Sequence, residues 1–426
     1  MIRAEDLKPG DLPVNQIVLG DALEVLKKLP DESVDCIITS PPYWGLRNYG
    51  QETWRVWDGD PNCEHEWVSG GNDDGKRKKS IPSAHLSLGM FCKKCGAWYG
   101  QLGLEPTLDL YLDHLLEIMR ELKRVLKKRG VIFWNHGDCY GGSLQGWGAK
   151  HPSKTGFQKP AGIDERYIKG KPPNASITPK CMALQNFRFV IRCVDELGFI
   201  LRNVIIWFKP NHKPESVKDR FTTTYEPIFM FVKNKKYFFD LDSVRKPLSP
   251  ETIKRIVRFI KNQEHFDPSK HKINPDSQNP FVLLENIVKS KIRETFYKKG
   301  FPSKDLKNDL KGANPGDFWS VPTQAFPEAH FAHFPEKLVE PMILAGCPQY
   351  VCSKCGKPRQ KWESCECNDE WEPGIVLDPF IGTGTTALVA IKLGRRFIGI
   401  EASPKYVRMA EKRIKPLISQ KTLIEF

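Results

Sequence analysis

No run of about 18 apolar residues, the length a membrane-spanning helix needs, occurs anywhere in the chain. Met1 to Gly20 mixes polar and apolar residues and lacks the apolar core of a signal peptide. Both absences lead us to expect an intracellular, cytoplasmic protein without a membrane partner. Glycine (32) and proline (33) are too sparse among 426 residues for a fibrous or low-complexity chain. Hydrophobic residues at 40% and aromatics at 11% exclude a disordered one and allow a sizeable core. Acidic residues are in deficit: 51 against 65 Lys and Arg, a formal charge of +14. Such a surplus favours a polyanionic partner, or else marks only a lysine-rich soluble surface. Twelve cysteines remain to be explained without disulfides if the compartment is reducing.

What is present reads as alternating strand and helix. Gln16–Leu19 reads as a strand, Ala22 to Leu29 as an amphipathic helix, and Cys36–Ile38 as a buried strand ending in Thr39-Ser40-Pro41-Pro42-Tyr43-Trp44. Strand, helix, strand is the crossover unit of a parallel sheet. After a polar segment, Gln51 to Gly103, a helix is expected from Thr107 to Lys128, stopped by Gly130, then a strand Val131–Trp134. Gly141 to Pro179 reads as a mobile loop. A helix (Leu184 to Leu197) and a strand (Ile200 to Phe208) follow, then a β-hairpin from Tyr225 to Phe239 turning at Lys233-Asn234-Lys235. From Arg245 to Gly312 the alternation fades and Lys and Arg are dense, which reads as a separate basic module. A helix around Pro335–Leu344, a strand Gly374–Leu377, a helix to Leu393 and a strand Arg396–Ile400 close the pattern.

Two loops carry chemistry. In the first, a strand runs into Asp378-Pro379-Phe380-Ile381-Gly382-Thr383-Gly384-Thr385-Thr386, whose small residues let backbone approach a ligand closely. Glu401, ending the next strand, is placed to bind a ribose hydroxyl. No Gly-Lys-Ser/Thr follows, so this is a nucleoside site rather than a phosphate loop; the bland reading is a tight strand-to-helix turn. In the second, Ser40-Pro41-Pro42-Tyr43, two prolines remove N–H donors and leave carbonyls free to accept. With the Ser40 hydroxyl and the Tyr43 ring they suit a planar base bearing an amino group, or else form only a proline-rich turn.

Together these motifs resemble the DNA amino-methyltransferases, which use S-adenosylmethionine to methylate N4 of cytosine or N6 of adenine. The catalytic loop precedes the cofactor loop, as in the permuted (beta) arrangement. Gly20-Asp21, Phe334-Pro335-Glu336-Lys337-Leu338 and Phe397-Ile398-Gly399-Ile400-Glu401 extend the resemblance. It implies that Asp378, Phe380, Gly382, Gly384 and Thr385 line the cofactor, that Glu401 holds its ribose, and that Asp21 meets its adenine. Ser40 and the Pro41 carbonyl would accept from the target amine, with Pro42 stiffening the loop and Tyr43 stacking on the base. Double-stranded DNA is the implied partner, its base flipped into the pocket; a cognate restriction endonuclease is a further possible partner. Ser-Pro-Pro-Tyr resembles the cytosine enzymes more than the adenine ones. A zinc-containing DNA-binding protein that keeps the fold without activity is the alternative class, and RNA a third substrate.

Seven cysteines fall in two clusters. Cys63-x-His65 pairs with Cys92-x-x-Cys95, and Cys352-x-x-Cys355 with Cys365-x-Cys367. Four soft ligands with Cys-x-x-Cys-Gly knuckles suit two structural, tetrahedral zinc ions; His85 is a substitute for His65, and free thiols are the bland reading. Cys36, Cys139, Cys181, Cys193 and Cys347 read as core or surface residues. Trp207-Phe208-Lys209-Pro210 contacts a flipped base or ends a strand. Arg47 and Asn48 touch DNA or cap a turn, and Asn135 to Asp138 form a pocket rim.

The expected fold is α/β: a doubly wound, mainly parallel sheet of the S-adenosylmethionine-dependent methyltransferase type, circularly permuted. Residues 1–50 and 104–244 would form the catalytic half, and 316–346 with 373–426 the cofactor-binding half. The insertions would be a zinc-binding segment at 51–103, a target recognition module at 245–315 and a zinc-ribbon-like segment at 347–372.

Overall fold

The computed structural model describes residues 2–69, 89–141, 177–249, 251, 312–324, 334–359, 365–367 and 370–424. The chain forms two compact units, one of Met1–Phe239 with Asp317–Phe426, the other Asp240–Gly316. Most of the basic run, most of the Gly141–Pro179 loop, and His85 lie outside the described residues.

In chain order the strands are β1 (Ile2–Arg3), β2 (Gln16–Leu19), β3 (Val34–Thr39), β4 (Arg55–Trp57), β5 (Trp67–Ser69), β6 (Met90–Cys92), β7 (Trp98–Gly100), β8 (Leu126–Asn135), β9 (Ile200–Phe208), β10 (Tyr225–Val232), β11 (Phe318–Ser320), β12 (Tyr350–Cys352), β13 (Trp371–Pro373), β14 (Ile375–Asp378) and β15 (Arg396–Glu401). The helices are α1 (Ala22–Lys28), α2 (Leu108–Val125), α3 (Gln185–Asp195), α4 (Glu336–Gly346), α5 (Thr385–Lys392) and α6 (Pro404–Ile424).

Nine strands of the larger unit form one sheet in the order β1-β2-β15-β14-β3-β8-β10-β9-β11. Every pairing is parallel except the two made by β10. The central strands β3 and β14 are buried along their whole length, with Val, Ile and Leu prominent and the buried Asp35 of β3 paired with Lys127. Helices cover both faces. Helices α1, α2 and α3 pack in sequence over a core containing Leu23, Leu26, Tyr111, Leu115, Met119 and Phe189. Helices α4, α5 and α6 cover the other face over Ile38, Phe133, Ile343, Val389 and Ala410.

Three sequence expectations change. Helix α2 ends at Val125, not Lys128, because Leu126 is already extended and buried, and β8 continues past Gly130 with a register shift against β3 between Leu126 and Val131. The Tyr225–Phe239 hairpin is absent. Strand β10 is a central strand between β8 and β9, and the aromatic stretch after it closes the core, with Phe238 buried and its N–H donating to the Arg129 carbonyl at 2.8 Å. The long C-terminal helix α6, opened by Pro404, follows β15 where no element was expected.

Residues 55–100 carry a separate four-stranded antiparallel sheet, β4-β7-β6-β5, and β12 pairs with β13 as a two-stranded ribbon. In the smaller unit, Lys246 and Ala313 form an antiparallel bridge and Arg245 donates to the Gly312 carbonyl at 2.8 Å, so its two ends are tied together.

Candidate active site and metal centres

Strands β2, β15, β14 and β3 are consecutive neighbours in the parallel part of the sheet. Their carboxyl ends therefore gather Asp21, Glu401, Asp378 and Ser40–Tyr43, residues up to 380 positions apart in sequence, along one edge. That edge is where open α/β sheets bind ligands.

Asp378 joins the two chemical loops. One of its carboxylate oxygens accepts from the Thr39 hydroxyl at 2.7 Å and the Phe380 N–H at 3.1 Å; the other accepts from the Thr386 hydroxyl at 2.7 Å. Its side chain is thus used in building the loop. Burial pushes its pKa up to about 6, against the pull of the two threonines. Gly382 and Gly384 have φ of 52° and 80°, a left-handed backbone that glycine adopts without strain. A Cβ on Gly384 would also lie 2.8 Å from that of Ala410. From α6, Arg413 braces the turn, donating to the Thr383 carbonyl at 2.7 Å and the Thr385 hydroxyl at 3.1 Å.

Glu401 is partly buried. Its two oxygens accept from the N–H groups of Gly382 at 3.0 Å and Ser403 at 2.8 Å. Burial, with a smaller contribution from Asp378, pushes its pKa up to about 7. A carboxylate held by backbone donors, with lone pairs to spare, fits the hydroxyls of a ribose. Asp21 caps α1 by accepting from the Glu24 N–H at 3.0 Å, and the same oxygen pairs with Arg55 of β4. Only its other oxygen is left for an adenine contact.

The acceptor loop is held from outside. Trp44 is buried, its indole N–H donating to the Glu105 carbonyl at 2.8 Å. The Tyr111 hydroxyl donates to the Pro42 carbonyl at 2.8 Å, and His136 Nε2 lies 3.1 Å from that hydroxyl. Because Tyr111 has one proton and gives it to Pro42, His136 must donate from Nε2; its Nδ1 accepts from the Trp134 indole at 3.4 Å. Burial lowers the His136 pKa to about 3, so it is a neutral brace and no general acid. Among the described residues no donor reaches the Pro41 carbonyl, which stays open beside Ser40. The Tyr43 ring packs at 5.3 Å from that of His136, and its hydroxyl lies 3.1 Å from each of Ser40, Asn135 and Glu226. Lys209 pairs with Glu226.

Sequence reasoning missed Tyr111 and Glu226, and gave His136 only a place in the Asn135 to Asp138 rim. Of the weaker signals, Trp207 is core, buried and donating to the Val321 carbonyl at 2.8 Å. Asp138 caps α3, accepting from the Leu184 and Gln185 N–H groups.

The sheet over residues 55–100 is built against the segment after Tyr43. Gln101 donates to the Arg47 carbonyl at 2.9 Å and accepts from the Tyr49 N–H at 2.6 Å, while Gly45 donates to the Gly103 carbonyl at 2.8 Å. His114 of α2 is fully buried between Asp58 (3.0 Å) and Glu105 (2.9 Å) and stacks on Trp57 at 4.3 Å.

Both cysteine clusters assemble. The ligand atoms of Cys63, His65, Cys92 and Cys95 all lie within 4.8 Å of one another, as do those of Cys352, Cys355, Cys365 and Cys367. Each has its knuckle turn: Gly96 N–H donates to the Cys92 carbonyl at 3.0 Å and Gly356 N–H to that of Cys352 at 2.9 Å. Cys36, Cys139, Cys193 and Cys347 are buried, with thiols pushed up by burial, and Cys181 is exposed.

A DNA methylase family model (N6_N4_Mtase) matches residues 34–412, and the chain belongs to that family. It is an S-adenosylmethionine-dependent DNA methyltransferase that modifies an exocyclic amino group, N4 of cytosine or N6 of adenine. It is 27% identical over 413 residues to the Type II methyltransferase M.SmaI of Serratia marcescens, covering 97% of this chain and 94% of that protein. Against the Type II methyltransferase M.Cfr9I of Citrobacter freundii it is 29% identical, with 96% and 90% covered. Against the DNA adenine methyltransferase YhdJ of Escherichia coli (strain K12) it is 24% identical, with 93% and 82% covered. A solved structure of a PvuII DNA methyltransferase, cytosine-N4-specific, aligns over 97% of this chain and 93% of its own with 17% identity and a TM-score of 0.47.

Proposed function

We propose that this chain methylates N4 of a cytosine flipped out of duplex DNA at a specific sequence. The observation that carries the reading is the 2.7 Å hydrogen bond from Thr39 to Asp378, which locks acceptor loop and cofactor loop side by side on adjacent strands. Phe380, Gly382, Gly384 and Thr385 would line the cofactor; Glu401 and the free oxygen of Asp21 would hold its ribose and adenine. The chemistry supplied by the bound sulfonium is an activated methyl group, and the chain supplies alignment. An aromatic amine is a weak nucleophile because its lone pair is delocalised into the ring. Acceptors on its N–H groups, here Ser40 and the Pro41 carbonyl, favour a pyramidal nitrogen and take up its developing positive charge.

Ser40, a neutral acceptor where adenine enzymes more often carry aspartate, supports cytosine over adenine. The basic stretch lies between the two loops in sequence, which supports reading it as the recognition module, meeting phosphate through Lys and Arg. The two clusters would hold structural zinc, since each presents four soft donors and no open position. The relatives' Type II names support a cytoplasmic place in restriction–modification, beside an endonuclease of the same specificity. Base-resolved sequencing of host DNA after expression tests the reading: N4-methylcytosine at one recurring sequence is expected, and N6-methyladenine at that sequence would replace cytosine by adenine as the target.

A further inference from the structure

We propose that Glu226 is a positioning residue for the methyl transfer: acting through Tyr43, it keeps the lone pairs of Ser40 turned toward the target amine. This rests on the reading of Ser40 as an acceptor and deepens it.

The order of donors is forced by chemistry. Asn135 Nδ2 donates to the Pro227 carbonyl at 3.1 Å, so its amide oxygen is what faces Tyr43, also at 3.1 Å. Glu226 Oε2 faces the same hydroxyl at 3.1 Å, and its other oxygen pairs with Lys209. A carboxylate and an amide oxygen only accept, so the Tyr43 proton must point outward to them. The Tyr43 oxygen is then an acceptor, and the Ser40 hydroxyl, 3.1 Å away, donates to it alongside the Gly137 N–H. Ser40 has one proton. With that proton committed to Tyr43, what Ser40 offers the pocket is lone pairs.

Charge adds to orientation. The chain ends on an anion, and hydrogen bonds in series polarise one another, so Glu226 makes the Ser40 oxygen more negative. As the amine lone pair forms the new N–C bond and the C–S pair stays on sulfur, the nitrogen becomes cationic and its N–H groups bind such an oxygen more strongly; the surplus proton then leaves to water. The stabilisation grows toward the transition state, so losing it lowers the rate and spares affinity. Asn135 orients Tyr43 as well but carries no charge. Glu226 stands at the start of β10, opposite Trp207 in register, far in sequence from the acceptor loop.

Single-turnover methylation, cofactor affinity, DNA affinity and melting temperature should be measured for Ser40→Ala, Glu226→Gln and the double variant. Glu226→Gln should methylate about tenfold or more slowly, with both affinities within about twofold of wild type and melting unchanged. In the double variant the Glu226 change should cost nothing beyond Ser40→Ala, because the two act in one chain. A wild-type rate in Glu226→Gln, or losses that multiply, would overturn the proposal. A wild-type rate in Ser40→Ala would instead remove the acceptor-loop reading beneath it. Should Glu226→Gln fail to fold, Tyr43→Phe keeps the ring and breaks the same chain, with the same loss and the same non-additivity with Ser40→Ala expected; independent losses there would overturn the proposal equally.

Discussion

At the scale of single residues, some candidate site groups spend their hydrogen bonds inside the fold and others keep lone pairs to spare. Asp378 is of the first kind. Its three hydrogen bonds are internal, so Asp378→Ala strands two buried threonine hydroxyls as well as reshaping the turn. Each unpaired buried group costs on the order of 1–3 kcal/mol. The variant should therefore lose both cofactor affinity and several degrees of melting temperature, measured by calorimetry and thermal unfolding; an unchanged melting temperature would contradict the internal role. Glu401, proposed to hold the ribose, gives a pH test. Its folded-state pKa of about 7 lies above the ordinary 4.5, so without cofactor it contributes stability at low pH that is lost as pH rises from 4.5 through about 7. Ribose hydroxyls donate to the ionised form. Cofactor affinity should accordingly fall as pH drops below about 7, by at most about tenfold per unit, and Glu401→Gln should flatten the profile. The position of both residues was legible in sequence from the glycine turn and the strand ends. That Asn135 and Glu226 meet the Tyr43 hydroxyl was not, because they lie 92 and 183 residues away on other strands.

At the scale of elements, hydrophobic pattern identified most strands and helices around the main sheet, though not α6, whose buried Val407, Ala410 and Ile414 are set among many charged residues. It failed where tertiary context decided. Strand β10 is buried on both faces from Pro227 onward, and a run without alternation says nothing about which neighbours flank it. The end of α2 was missed because Lys127, Lys128 and Arg129 suit a helix terminus as well as the exposed start of a strand. The cysteine spacing, by contrast, was informative, since knuckle turns are local. Among the described residues His65 joins its cluster, with Nδ1 3.4 Å from Cys95 Sγ. Metal analysis of purified protein should find two zinc ions per chain. Cys355→Ser should release one and leave the other, and protein without zinc would refute both centres.

At the scale of the whole molecule, a charge of +14 and a separate unit rich in Lys and Arg make binding to a polyanion depend on released counterions. DNA affinity should fall steeply and log-linearly with salt, while cofactor affinity in the absence of DNA should hardly change; gel shift and calorimetry over the same salt series check both. The central claim is that an amino group, held by Ser40 and the Pro41 carbonyl beside the cofactor loop, receives the methyl. Nucleoside mass analysis of duplex DNA treated with the purified protein and S-adenosylmethionine tests this most directly. N4-methylcytosine is predicted with the wild-type protein and a deep loss of it with Ser40→Ala. Unmodified DNA, or a methyl group on ring carbon instead of an exocyclic nitrogen, would contradict the account.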